Sequence, residues 1–135
     1  MSKPELKEIL LASLIRCASQ PNFVPSFYNR FMGSSPEIPP YFKKTDFKKQ
    51  NEMLLHSLNL STGAVSGEPA ALRELKERAE SHDRYHLDVK PHLYDFWLNA
   101  LIETVRDFDD KWNPTIEEAW RTTFQHVIDY MRRRH

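Results

Sequence analysis

The sequence predicts an all-α fold in a single domain that spans residues 1–135. Only 3 of the 135 residues are glycine, which is too few for a sheet protein with many tight turns. There are 9 prolines, and several of them stand where an amphipathic pattern begins. Apolar residues recur at steps of three and four along most of the chain, as they do on the buried face of a helix. We therefore expect about seven helices with short connections around one core.

The first two predicted helices are bounded by proline-containing segments. Pro4 stands where the first apolar pattern begins, and "SQPNF" at residues 19–23 interrupts that pattern. A second pattern starts at Phe23 and continues to the turn-rich segment that follows. The residues expected to face inward on these two helices are Leu6, Leu10, Leu14, Ile15, Phe23, Phe27, Tyr28 and Phe31.

A short element and a third long helix are expected next. Within "GSSPEIPPYF" at residues 33–42, two consecutive prolines allow only a short element. Thr45 or Asp46 is expected to cap the third helix, which reaches about Leu60. Its inward face should carry Phe47, Gln50, Leu54 and Leu58. The segment "NLSTGAVSGEP" at residues 59–69 is expected to be a loop, because it combines two glycines with small polar residues.

The fourth helix is expected to open at Pro69 and to carry histidine on its buried face. Its apolar stripe is Leu72, Leu75, Ala79, His82 and His86, at steps of three and four. Two histidines four residues apart lie on one face of a helix, so either of them could bind a ligand.

Two further helices complete the chain. Asp88 is expected to cap the fifth, with Pro91 in its first turn, and Thr115 and Glu118 fit a capping box at the start of the last. The stripes of these helices are Leu93, Trp97, Ala100, Leu101 and Thr104, then Ile116, Trp120, Phe124, Val127 and Met131.

Composition excludes several functional classes. The 19 basic and 19 acidic residues cancel, and the basic footprint of a nucleic-acid-binding domain is missing, although the tail "MRRRH" is basic. No apolar run approaches the length of a bilayer span, so no membrane partner is expected. Cys17 is the only cysteine and cannot form a disulfide within the chain, which indicates a reducing compartment and a cytoplasmic protein.

Three apolar faces carry a polar residue where packing alone would favour an aliphatic one. They are Tyr28 on the second helix, Gln50 on the third and His82 on the fourth. A buried polar group without a partner costs about 1–3 kcal/mol, so each of the three needs one. A backbone carbonyl or a water would suffice for any one of them, but three together suggest a shared cavity with a polar or metallic occupant.

Three segments resemble the bacterial globins: "SFYNRFMGSSPEIPPYF", "DFKKQNEMLLHSL" and "AESHDRYHLDVKPHLYDFWLNALIETV". The chain is most similar to single-domain bacterial haemoglobins and to the haem domain of flavohaemoglobins, from about Phe23 to Met131. The resemblance implies a globin fold, a haem b cofactor, and His82 as the proximal ligand of its iron. It also implies that Tyr28 and Gln50 line the opposite, ligand-binding side.

The resemblance further implies the remaining walls of the haem pocket. Phe42 would pack on the haem face near the iron, and Leu54 would limit the volume available to the ligand. Val89, Tyr94 and Trp97 would line the proximal side or the haem edge. The implied function is reversible binding of dioxygen or another diatomic gas, such as nitric oxide or carbon monoxide.

Other functions stay open from the sequence. They are a nitric oxide dioxygenase that works with a separate reductase, a haem-based gas sensor, and a helical interaction domain without haem. A zinc site would need His82 and His86 with His92 or Asp88, but a pair of histidines four apart is a weak signal.

The sequence departs from the family pattern in two places. The segment from His82 to Tyr94 holds two residues more than is usual. The position of a glutamate late in the last helix of flavohaemoglobins is taken by His135. A carboxylate near the proximal ligand would raise its basicity, so its replacement disfavours oxygen-activating chemistry.

Overall fold

The computed structural model describes residues 2–65, 67–82 and 87–135, and within these ranges it is entirely helical. The element boundaries are α1 Lys3–Ala18, α2 Phe23–Gly33, a single 3-10 turn Pro39–Phe42, α3 Phe47–Val65, α4 Pro69–His82, α5 Leu93–Phe108 and α6 Pro114–Arg133. The predictions of an all-α class and of about seven helices are therefore confirmed.

Two helix starts show how far capping residues can be identified locally. Asp46 precedes α3, and its carboxylate accepts a hydrogen bond from the Lys48 backbone N–H at 3.1 Å, as expected. At α6 the expected capping box is wrong, because the cap is Asn113, whose Oδ1 accepts from the Ile116 N–H at 2.9 Å. The proline that follows Asn113 favours an extended backbone there, and this is the conformation of an N-cap residue.

The expected loop over residues 59–69 is wrong for its first part, because α3 continues to Val65. The hydroxyls of Ser61 and Thr62 donate to the carbonyls of Ser57 and Asn59 at 2.9 and 2.7 Å, so both side chains are satisfied inside the helix. Gly63 lies at a close approach between α3 and α4, since a Cβ there would lie 3.2 Å from Ala71 Cβ and 2.5 Å from a carboxylate oxygen of the flexible Glu68 side chain.

The expected start of the fifth helix at Asp88 is also wrong. Asp88 has a φ of 48°, in the left-handed region, and α5 begins only at Leu93. The Asp88 carboxylate binds Lys90 Nζ at 2.6 Å and His135 Nε2 at 2.9 Å and caps no helix. Asp88 therefore lies in the connection between α4 and α5, where its carboxylate contacts the C-terminal residue His135.

Three residues expected to face inward are exposed: Ile15, Phe47 at 37% and Leu72. Leu72 is 42% exposed because the buried line of α4 runs through Ala71, Leu75 and Ala79, one position away from it. Ile15 is 69% exposed because α1 buries Leu14 beside it. Other members of the same predicted stripes, such as Leu14 on α1 and Leu75 on α4, are buried as expected.

The helices pack so that a cavity remains between them. The helix α2 packs against α5, and α3 against α4, while α6 contacts α1, α3, α4 and α5. The largest fully buried side chains include Trp120, Phe23, Phe27 and Phe124, which form the core on the side of α1, α2, α5 and α6. In the described part of the chain, no helix has the length and apolar character needed to cross a bilayer.

Candidate functional site

A cavity of about 580 Å³ lies between α2, the 3-10 turn and helices α3 to α6. This volume is within the range of about 300–1,000 Å³ that is usual for small-molecule and cofactor sites. The structure brings all the predicted site residues to this one cavity, whose lining includes Tyr28, Phe42, Gln50, Leu54, His82, Val89, Tyr94 and Trp97. A second hollow of about 590 Å³ lies at the surface beside Arg16 and Gln20 and is lined by none of them.

His82 is the last residue of α4, and its imidazole is held in one orientation. Its Nδ1 lies 2.8 Å from the Arg78 carbonyl oxygen and 2.9 Å from Ser81 Oγ. Because a carbonyl can only accept, Nδ1 carries the proton and donates it, which leaves the lone pair on Nε2 for a metal. One turn of helix thus selects the tautomer that a nitrogen ligand requires.

The environment of His82 also favours its neutral form. Burial lowers the pKa of His82, and the positive charge of Arg78 lowers it further, although the hydrogen bond with the Arg78 backbone acts in the opposite direction. A neutral imidazole is the form that binds metal ions.

Tyr28 on α2 and Gln50 on α3 both line the cavity and are hydrogen-bonded to each other. The Gln50 side-chain Nε2 donates to the Tyr28 hydroxyl oxygen at 3.0 Å. The hydroxyl in turn donates to the backbone carbonyl oxygen of Gln50 at 3.4 Å. Burial raises the pKa of Tyr28, and the hydrogen bond with Gln50 only partly offsets this, so the phenol stays protonated at neutral pH. The second bond is long and therefore weak, so the hydroxyl proton can turn toward another acceptor.

Phe42 is held by a cluster of aromatic rings. Its centroid lies 5.8 Å from that of Tyr28 and 6.1 Å from that of Phe31, both edge to face. Phe47 stacks on Phe42 with centroids 6.1 Å apart, although Phe47 is itself partly exposed. Edge-to-face and stacked rings are favourable geometries, so this wall of the cavity is rigid and apolar.

Another part of the cavity lining comes from α5 and the segment before it. Trp97 packs against Phe27 and Phe124 at centroid distances of 5.9 and 5.7 Å. Burial raises the pKa of Tyr94 to about 12. The Val89 N–H donates to the His82 carbonyl oxygen at 3.0 Å, so Val89 returns to the end of α4 despite the two additional residues in this segment.

The other histidines of the described ranges do not line the cavity. His56 Nε2 is 2.6 Å from Glu74, and His92 Nε2 is 2.9 Å from Glu37. His86, the partner of His82 in the zinc alternative, lies outside the described residues. Within residues 2–65, 67–82 and 87–135, no three His, Cys, Asp or Glu side chains are arranged to hold a metal ion.

Arg78 and Ser81 are among the cavity residues that the sequence did not indicate. Both line the cavity that His82 also lines. The sequence feature that could have indicated them is their spacing from His82, since both lie within one helical turn of it. Arg78 lies four residues earlier, and its backbone carbonyl accepts a hydrogen bond from the imidazole.

Comparisons with known proteins agree with this geometry. A family model for globins matches residues 25–131. A solved structure from Pseudomonas aeruginosa PAO1, described as structurally highly homologous to a human haemoglobin, is 29% identical to this chain with a TM-score of 0.90. That alignment covers 96% of this chain and 97% of the other. No curated protein matches the sequence significantly.

Proposed function

Because this chain belongs to the globin family, we propose that it binds haem b in the cavity, with His82 as the iron ligand, and reversibly binds dioxygen or another diatomic gas. The observation that carries the proposal is that one cavity is lined by two kinds of group. His82 offers a single imidazole whose Nε2 lone pair can bind a metal, and Tyr28 and Gln50 offer a phenol and an amide that can donate hydrogen bonds. The iron of a bound haem supplies a coordination position at which a diatomic gas binds reversibly.

The residues of the cavity fit a haem. A porphyrin is a large, flat and mainly apolar group, and the aromatic wall of Phe42 and the packed Trp97 offer flat apolar surfaces. One imidazole with a defined tautomer matches the single protein ligand of an iron that keeps a position open for gas. The cavity also contains an arginine with a buried nitrogen atom that lacks a partner among the described residues.

Tyr28 and Gln50 would stabilise negative charge that develops on a bound diatomic ligand. Each is positioned by the other before a ligand arrives, so little reorganisation is needed when one binds. Since Gln50 donates to the Tyr28 oxygen, the Tyr28 proton is directed away from Gln50 Nε2 and is the donor that can approach a ligand. Leu54, which is buried on α3 one turn after Gln50, limits the space beside these donors.

The partners of His82 support reversible binding over oxygen activation. Its Nδ1 contacts a neutral carbonyl and a neutral hydroxyl. Neutral acceptors raise the basicity of an imidazole less than a carboxylate does. His135, which stands where the family resemblance would place a glutamate, is directed to Asp88 at 2.9 Å.

The proposal is tested by titrating the purified protein with haem and recording ferric, ferrous and carbon monoxide spectra. We expect a 1:1 complex with an intense Soret band and the spectrum of a histidine-ligated ferrous haem. His82→Ala should lose that spectrum and bind haem far more weakly, because no other described cavity residue offers an imidazole.

The matched control is His126→Ala, which removes an exposed imidazole from α6. It should bind haem as the unmodified protein does. If His82→Ala keeps the ferrous and carbon monoxide spectra of the unmodified protein, His82 is not the ligand.

A further inference from the structure

Arg78 has hydrogen-bonding capacity that the protein does not use. It lies one turn before His82 on α4 and lines the cavity, with 24% of its side chain exposed. Its Nε atom is buried and has no hydrogen-bond partner among the residues that the structure describes. A buried guanidinium nitrogen without a partner is costly, so an acceptor that arrives with a ligand would be favoured there.

The nearby carboxylate of Glu74 forms an ion pair with Arg78 but leaves one of its nitrogen atoms without a partner. Glu74 Oε1 lies 3.7 Å from Arg78 Nη2, which is too long for a hydrogen bond, and Arg78 Nε has no partner among the described residues. The same oxygen is 2.6 Å from His56 Nε2, and the pKa of Glu74 is lowered first by this hydrogen bond. Glu74 is therefore engaged mainly with His56 on α3, and Arg78 Nε can still donate a hydrogen bond to another acceptor.

The charges around the cavity make Arg78 the natural partner of an anionic group. Among the described residues that line the cavity, Arg78 is the only lysine or arginine, whereas Glu74 and Glu77 are acidic. A carboxylate on a ligand would be repelled by these two glutamates except where it lies against the guanidinium. Arginine presents its donors in a planar fork that matches a carboxylate in a bidentate manner.

We propose that Arg78 binds a propionate carboxylate of haem, so that α4 holds the cofactor at two points one helical turn apart. This inference rests on the proposed function, because haem b is the cavity ligand that carries such carboxylates. His82 would hold the iron at the centre of the macrocycle. Arg78 would determine which edge of the macrocycle faces α3 and α4. Arg78 is thereby a binding and orienting residue for the cofactor.

The test compares haem with its dimethyl ester, in which both propionates are uncharged. The measurement is the rate at which each porphyrin leaves the protein for an excess of a tighter haem-binding protein. From the unmodified protein, the ester should dissociate about tenfold faster than haem, since a charge-assisted hydrogen bond is lost. Arg78→Gln should release haem about tenfold faster and release the ester at the unmodified rate.

Two further variants sharpen the comparison. Arg78→Lys keeps the charge without the fork and should give an intermediate rate of haem release. Arg73→Gln, on the same helix but exposed and outside the cavity lining, should change neither rate. The comparison of haem with its ester in the unmodified protein does not depend on the folding of any variant.

The outcomes separate this inference from the proposed function. If the unmodified protein binds neither porphyrin, the proposed haem function fails and this inference fails with it. If haem binds and Arg78→Gln releases it at the unmodified rate, only the role of Arg78 is overturned. Equal acceleration of haem and ester release by Arg78→Gln also overturns it, because the effect would not pass through the propionates.

Discussion

The hydroxyl of Tyr28 is buried, and its hydrogen bonds are unequal. It accepts from the Gln50 amide at 3.0 Å and donates only over 3.4 Å to the Gln50 carbonyl. A donor in a dry cavity acts on ligand charge more strongly than a donor in water, because the effective dielectric constant is low. We therefore expect the Tyr28 hydroxyl to slow ligand release.

We expect Tyr28→Phe to raise the rate of oxygen dissociation about tenfold, because one hydrogen bond to the bound ligand is lost. The rate is measured by stopped-flow spectroscopy of the oxygenated ferrous protein. Tyr130→Phe is the matched control, since it removes a hydroxyl from α6 outside the cavity lining and should leave the rate unchanged. An unchanged rate in Tyr28→Phe would remove this hydroxyl from the mechanism.

At the scale of the helix, the start of a helix is set by the side chain that accepts a hydrogen bond from an unpaired backbone N–H group of the first turn. Asn113 has φ −154° and ψ 172°, an extended conformation from which Oδ1 reaches the Ile116 N–H. Thr115 and Glu118 have suitable chemistry for a capping box but lie inside the helix that Asn113 already caps. Both Asn113 and the capping box at Thr115 are compatible with the local sequence pattern. Pro114 favours an extended backbone at Asn113, and this makes Asn113 the N-cap.

We expect Asn113→Ala to lower the free energy of unfolding by about 1 kcal/mol, because the Ile116 N–H loses its acceptor. Urea denaturation followed by circular dichroism measures the change. Thr115→Ala should change the free energy by less than about 0.5 kcal/mol. Equal losses in the two variants would mean that Asn113 is not the cap that matters.

At the scale of the whole molecule, a buried polar network joins both ends of the chain. The Asp109 side chain is fully buried and accepts from Arg16 Nε at 2.6 Å and from Ser13 Oγ at 2.6 Å. Ser13 in turn accepts from Trp120 Nε1 at 2.9 Å. This network ties α1 to the end of α5 and to α6, away from the cavity.

The protonation state of Asp109 links this network to pH. Burial by itself would raise the pKa of Asp109, but the hydrogen bonds from Arg16, Ser13 and the Lys111 backbone outweigh it and lower the pKa below 3.8. A lowered carboxyl pKa contributes stability above the unfolded value of 3.8, and this stability is lost as the pH falls through the folded value.

We expect Asp109→Asn to lower the free energy of unfolding by about 2 kcal/mol at neutral pH, below the full value for a buried pair because Arg16 is partly exposed. The difference from the unmodified protein should be full above about pH 5 and shrink as the pH falls below it. Denaturation curves across this range measure it, with the exposed Asp110→Asn as control. A difference independent of pH would show that the charge of Asp109 is not its cause.

The sequence by itself determined the helical class, most of the helix starts and the polar residues of the cavity. These features depend on nearby residues, since the helical period of 3.6 residues and the capping side chains can be recognised within one or two helical turns. Tyr28, Gln50 and His82 could be singled out because each interrupts an apolar face. The expectation that they share a cavity agrees with the structure, while their roles in ligand binding stay predictions.

Only the tertiary structure decided the features that depend on approach between distant segments. The helix α3 continues to Val65 and packs closely at Gly63 against the start of α4, where Ala71 is buried and Leu72 is not. Arg78 is a candidate ligand-binding residue only because the tertiary structure buries its Nε beside the cavity. This atom has no hydrogen-bond partner in the described ranges. Such contacts join residues far apart in the chain, so no local pattern specifies them.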